Sequence, residues 1–133
     1  MIDAPQIVQT AAQLTAVIRV KVPRSRIQEV MGPGLGELKT AVADQGVAIA
    51  GPWLTHHLRI TPDTFDFEIS VPVAAPVAPA GRVRPSVWPA MTVARTVYRG
   101  PYQGLAAAWG ELDAWVKARG HRPAPDLWES YLV

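Results

Sequence analysis

The chain contains no cysteine, which removes disulfides, thiol catalysis and thiolate metal sites in one step. It has little net charge. Lys and Arg number 13 against 11 Asp and Glu, and the surplus of +2 is dispersed rather than gathered into a phosphate-binding stripe. No direct nucleic-acid partner is expected. Long apolar runs are missing too: the longest, about Val71 to Ala80, is broken by Pro72, Pro76 and Pro79 and is far too short to cross a membrane. The opening Met1-Ile-Asp-Ala-Pro has neither a basic n-region nor an apolar h-region, so no signal peptide is read there. These absences predict a soluble, cytoplasmic protein. What is present fits one globular domain: 133 residues, 49% apolar and 18% charged, with 13 prolines and five tryptophans. A chain of this length buries roughly two-thirds of its unfolded surface, enough for a real core.

Residues 6 to 22 read as one strand, with Ala16, Ile18, Val20 and Val22 alternating against Val17, Arg19 and Lys21. Pro23 ends it. A short helical turn over Arg26 to Met31 is expected to stop at Gly32-Pro33-Gly34, before a second helical segment carrying Leu35, Leu38 and Val42 and ending at Gly46. Two short strands follow, Trp53 to Arg59 and Thr64 to Val73, with Pro62-Asp63 at the turn. In the second of them Phe65, Phe67, Ile69 and Val71 share one face, and Asp66, Glu68 and Ser70 the other. Val73 to Gly81 reads as a stiff connector of proline and alanine. Beyond it a strand over Thr92 to Arg99, a helix from about Tyr102 to Ala118 stopped by Gly120, and a strand over Leu127 to Leu132 repeat the order.

The repetition extends to identities. Gly36-Glu37-Leu38 with Val42 and Gly46 matches Gly110-Glu111-Leu112 with Val116 and Gly120, every pair 74 positions apart. The pattern predicts an α+β fold made by tandem duplication of a βαββ unit. A first copy spans about 5–73, a connector 74–81, and a second copy about 82–133. At this offset Val133 corresponds to Arg59, so the second copy lacks its last strand and would leave an edge unpaired. Three remedies are open: a longer gene product, an edge supplied by another subunit in a homodimer or by a partner strand, or pairing by Gln6 to Thr15.

The residues resemble the GyrI-like (gyrase-inhibitor-like) small-molecule-binding domain, which also forms the effector-binding half of some AraC-type and MerR-type multidrug regulators. The resemblance rests on Tyr98-Arg99-Gly100-Pro101-Tyr102 followed by Trp109, Leu112 and Trp115, and then on Trp128-Glu129-Ser130-Tyr131. Gly51-Pro52 with His57, and Phe65-Asp66-Phe67-Glu68 running into Val71-Pro72-Val73, fit as well. His57 stands where an aromatic, often Tyr, is common. The resemblance implies two βαββ units about a pseudo-twofold axis, two antiparallel sheets with helices on one face, and a ligand cleft on the axis at the opposite face. It also implies a role in transcription regulation or drug resistance in bacterial-type cells.

Strand geometry puts Leu127, Glu129 and Tyr131 on one face, and the repeat offset pairs them with Trp53, Thr55 and His57. The candidate ligand-binding set is therefore Trp53, His57, Tyr98, Leu127, Glu129 and Tyr131, with Tyr98 joining from its neighbouring strand. A carboxylate among aromatic walls is costly to ionise until a cation arrives to pair with it. A flat cationic ligand would also stack on the rings, at about 0.5–2 kcal/mol per well-placed contact. By resemblance, Glu129 takes this cation-pairing role, although a Glu near a chain end is more often simply solvated. Trp109 and Trp115 lie at helical spacing with Leu105, Leu112 and Val116, and at least one is expected in the core. Trp88 is either a cleft rim or a loop anchor. His56 and His57 point to opposite faces and His121 lies elsewhere, so no metal or other cofactor is expected.

The leading expectation is a stand-alone small-molecule-binding domain, a sensor or sequestering protein for hydrophobic aromatic or cationic ligands. A second is a hydrolase of strained electrophilic natural products, with Glu129 as general base and Tyr131 or Tyr98 as hydrogen-bond donor. A third is a protein-interaction module using the unpaired edge. No catalytic residue is assigned under the first.

Overall fold

The computed structural model describes residues 2–61, 63–124 and 126–131. Its strands and helices run β1 (Gln6–Gln9), β2 (Gln13–Pro23), α1 (Ile27–Asp44), β3 (Leu54–Ile60), β4 (Thr64–Pro72), β5 (Arg84–Trp88), β6 (Thr92–Arg95), α2 (Leu105–Ala118) and β7 (Leu127–Ser130). Two antiparallel sheets and two helices make the fold α+β. The larger sheet has the order β5-β2-β4-β3-β7, and the smaller is β1 against β6. Contacts divide the chain into two compact units: Met1–Ala11 with Pro89–Ala124, and Ala12–Trp88 with Pro125–Val133. No helix among the described residues is long and apolar enough to cross a membrane.

The unit holding the larger sheet is organised by alternation. Pairing of β2 with β4 sets Ile18 opposite Ile69 and Val20 opposite Phe67, so one face is a continuous apolar surface. Helix α1 covers it with Ile27, Leu38 and Val42, and the resulting core includes Ala16, Ile18, Phe67, Ile69 and Val71, all of them inaccessible to solvent. Gly34 makes this approach possible, because a Cβ there would lie 2.6 Å from Ile69 Cδ1. The helix is continuous from Ile27 to Asp44 with Pro33 inside it, where the sequence predicted a break. Proline removes the N–H that would reach Glu29, but Pro33 and Glu29 are both exposed, so water can serve the freed carbonyl.

Further departures from the sequence reading have local causes. The long N-terminal strand is two strands, parted at residues 10–12: β1 pairs with β6, and β2 with β4 and β5. Thr10 makes the turn-off point, its N–H donating to the Met91 carbonyl and its Oγ1 to that of Pro89. Residues 6–9 thus supply the partner strand for β6, the third of the remedies considered for an unpaired edge. Strand β5 was not expected from the sequence and contains Pro85; it lies at the edge of the sheet beside β2, the position in which a missing N–H is tolerated. The strand expected over Thr92 to Arg99 ends at Arg95.

The alanine–proline segment after β4 is also tied down. Ala74 N–H donates to the Ala48 carbonyl at 3.0 Å, and Val77 is buried in the core cluster. In the other unit, α2 buries Ala108, Leu112 and Val116, spaced four apart along one stripe. Trp109 and Trp115 are half-buried rather than central, and the Arg119 guanidinium lies 4.7 Å from the centre of the Trp115 ring.

Candidate functional site

Strand β7 adds to the edge of β3, and its register gathers the site. Thr55 stands opposite Glu129, and His57 opposite Leu127. One step beyond the strand, the Tyr131 N–H donates to the Trp53 carbonyl at 3.1 Å, and the two rings stack with centroids 4.2 Å apart. The 74-residue offset that equates Thr55 with Glu129 also makes them the antiparallel pair, as a local twofold axis between β3 and β7 requires.

Trp53, Thr55, His57, Leu127, Glu129 and Tyr131 therefore share one face of one sheet. That face is the one α1 packs on. Thr55 is paired with Ile69 and His57 with Phe67, and cross-strand partners always point the same way. The expectation of a cleft on the face away from the helices is thus corrected for this cluster. Tyr98 is not brought into it by the sheet: it belongs to the other unit, where its hydroxyl donates to the Pro101 carbonyl at 2.7 Å.

A chain of polar contacts links the cluster. Tyr131 OH donates to Glu129 Oε2 at 2.8 Å and shares a hydrogen bond of 3.1 Å with Thr55 Oγ1. Thr55 Oγ1 shares another, also 3.1 Å, with His57 Nε2. Thr55 is fully buried and His57 only 5% exposed. The imidazole lies 5.3 Å from the Phe67 ring, nearly parallel to it, and 5.7 Å from Phe65, edge-on. Burial, with a smaller push from the neighbouring His56, lowers the His57 pKa against the pull of Glu129. The lowered pKa favours the neutral imidazole at His57 at about pH 7. Its Nδ1 is buried with no hydrogen-bond partner among the described residues.

The opposite face carries a second cluster that the sequence reading did not identify. His56 lies flat against Trp128, with centroids 3.5 Å apart and planes 5° apart, and Trp128 stacks in turn on Trp88 at 5.5 Å. Its Nε2 contacts Asp126 Oδ2 at 2.6 Å, and its Nδ1 lies 3.5 Å from Glu68 Oε1. Burial opposes the charge on His56, but the hydrogen bonds to Glu68 and Asp126 and their negative charges prevail, and its pKa is raised. Trp88 is thereby placed as an anchor over this face. The visible signal was the adjacent His56-His57 pair, whose opposite orientations follow from strand alternation; the partner at Asp126 was not visible, because it lies 70 residues away.

No functionally curated protein matches the chain. Among solved structures with the same fold are two of EcmrR. One is described as the crystal structure of the EcmrR C-terminal domain, at 22% identity and a TM-score of 0.84, covering 97% of this chain and 84% of that one. The other is EcmrR in complex with DNA, solved by cryo-electron microscopy as part of EcmrR-RPo, at 21% identity and a TM-score of 0.82. There the match covers 96% of this chain and 49% of the other, so the chain spans about half the length of that protein. The model of the GyrI-like small molecule binding domain matches residues 3–133, and the chain belongs to that family.

Proposed function

We propose that this GyrI-like domain binds flat or bulky hydrophobic cations and aromatic molecules, with Glu129 pairing with the ligand charge and the Trp53 and Tyr131 rings supplying apolar contact. The observation that carries this reading is the Glu129 carboxylate set directly across from Thr55, beside the stacked Trp53–Tyr131 pair, on the helix-bearing face of the sheet. Leu127 and His57 extend the apolar surround. Tyr98 is a further candidate contact on sequence grounds. A cation pairs with the Glu129 carboxylate, and each ring face it covers adds about 0.5–2 kcal/mol. The biological role that fits is a sensor, sequestering or drug-resistance function. EcmrR, which shares the fold, is a DNA-bound protein in one of its structures, which is consistent with a regulatory setting.

The test is titration with tetraphenylphosphonium, followed by tryptophan fluorescence. Saturable binding to the wild type, weakened at least tenfold in Glu129→Gln, supports the reading. Equal affinity in the two proteins refutes it.

A further inference from the structure

A buried neutral histidine that reaches the candidate carboxylate only through two hydroxyl groups calls for an explanation that apolar packing does not supply. Resting on the function proposed above, we infer that His57 is a positioning residue for Glu129. It acts through Thr55 and Tyr131 along a hydrogen-bond chain that runs one way, from imidazole to carboxylate, and holds that carboxylate for a cationic ligand.

The direction follows from counting hydrogens. A carboxylate only accepts, so the Tyr131 hydroxyl spends its one hydrogen on Glu129 Oε2. Its oxygen then accepts from Thr55, whose own hydrogen is thereby used. Thr55 Oγ1 in turn accepts, and the donor is His57 Nε2–H. A neutral imidazole has one N–H, so His57 is the Nε2–H tautomer and Nδ1 carries a bare lone pair. That agrees with the geometry: Nδ1 is the buried nitrogen without a partner among the described residues.

The surroundings keep the direction fixed. A second proton on His57 would place a charged N–H at Nδ1 with nothing to receive it, which costs far more than an unused lone pair. The groups facing His57 leave it neutral. Strand β4 presents Phe65 and Phe67, and the Arg24 guanidinium beyond them is held 4.4 Å from the centre of the Phe65 ring. Glu129 acts on it from its own face, and His56 through the strand from the other. Aligned donors in a protected site polarise one another, so the last hydrogen bond, on Glu129, is strengthened by the first. A tyrosine or phenylalanine at position 57 could fill the same space but could not offer the Nε2–H.

The test has two arms, both on the full chain. The first is long-range 1H–15N correlation of histidine-labelled, unliganded protein near pH 7. His57 protonated on Nε2 and bare on Nδ1 supports the chain; protonation on Nδ1, or on both nitrogens, overturns it. The second compares tetraphenylphosphonium with the uncharged triphenylphosphine oxide in the wild type, His57→Phe and Thr55→Val. The expected result is a roughly five- to tenfold loss for the cation alone, similar in the two variants. Equal losses for cation and neutral molecule mean that His57 only supports the wall, and overturn the inference, as does no loss at all. If tetraphenylphosphonium does not bind the wild type, the proposed function fails; the tautomer still decides the hydrogen-bond chain by itself.

Discussion

Replacing Thr55 with valine isolates the central link of the site. Valine has nearly the same volume, and Thr55 is completely buried, so packing is preserved and only the hydroxyl is lost. Two hydrogen bonds of 3.1 Å disappear with it. Tyr131 keeps its bond to Glu129, but His57 Nε2 loses Thr55 while Nδ1 has no partner among the described residues. A buried imidazole with neither nitrogen satisfied costs about 1–3 kcal/mol. For a chain of this size, a loss near the middle of that range lowers Tm by roughly 5–8 °C. Urea unfolding at pH 7.5, followed by far-ultraviolet circular dichroism and checked by thermal melts, reads the change directly. The double variant Thr55→Val with His57→Phe removes both ends of the broken bond, and should be less destabilised than the sum of the singles by about 1 kcal/mol. An unchanged or higher Tm in Thr55→Val would mean the hydroxyl is not engaged, and the account of the buried chain would fall.

Other consequences follow from the same geometry. Gly34→Ala drives a methyl group against Ile69 Cδ1 in a filled core, so a net loss of about 1 kcal/mol is expected despite alanine's better helix propensity, and adding Ile69→Val should recover it; a stabilised single variant would show that α1 does not approach the sheet so closely. His56 has a raised pKa, so its contribution to stability is complete below about pH 6.5, the ordinary histidine value, and is lost as pH rises through the raised one. Relative to His56→Gln, the wild type should lose stability on that upward path; parallel profiles would argue against the contacts with Glu68 and Asp126. His57 has the opposite sign. Its lowered pKa means that its neutral form supports the fold above about pH 6.5, and that this support is lost as pH falls, so His57→Phe should flatten the acid side of the stability curve.

Much of the site was legible because strand alternation is a local rule. Leu127, Glu129 and Tyr131 share a face for any β7, and Trp53, Thr55 and His57 share one for any β3, whatever the rest of the chain does. The 74-residue offset even pairs Thr55 with Glu129, and the observed register has the same pair. Which face of the sheet they occupy was not legible. That depends on Phe67 and Ile69, the hairpin neighbours of His57 and Thr55, being the residues over which α1 settles, and the docking of α1 is a long-range fact. The local rules failed where tertiary contacts outweighed them. Pro33 should end a helix, but packing of Gly34, Leu38 and Val42 on the sheet carries α1 through it. Pro85 argues against a strand, but an edge position leaves its missing N–H without consequence.

By itself, the sequence determined the α+β pattern, the faces of β3, β4 and β7, and the residues resembling a GyrI-like site, because each depends on periodicities of two or about four residues. Only the tertiary structure decided that Gln6–Gln9 pairs with β6, that His56 lies between Trp128 and two carboxylates, and that His57 reaches Glu129 through Thr55 and Tyr131. Each of those arrangements depends on at least one contact between groups 70 or more residues apart. No local spacing encodes such pairings; the balance of burial and hydrogen bonding over the whole fold selects them.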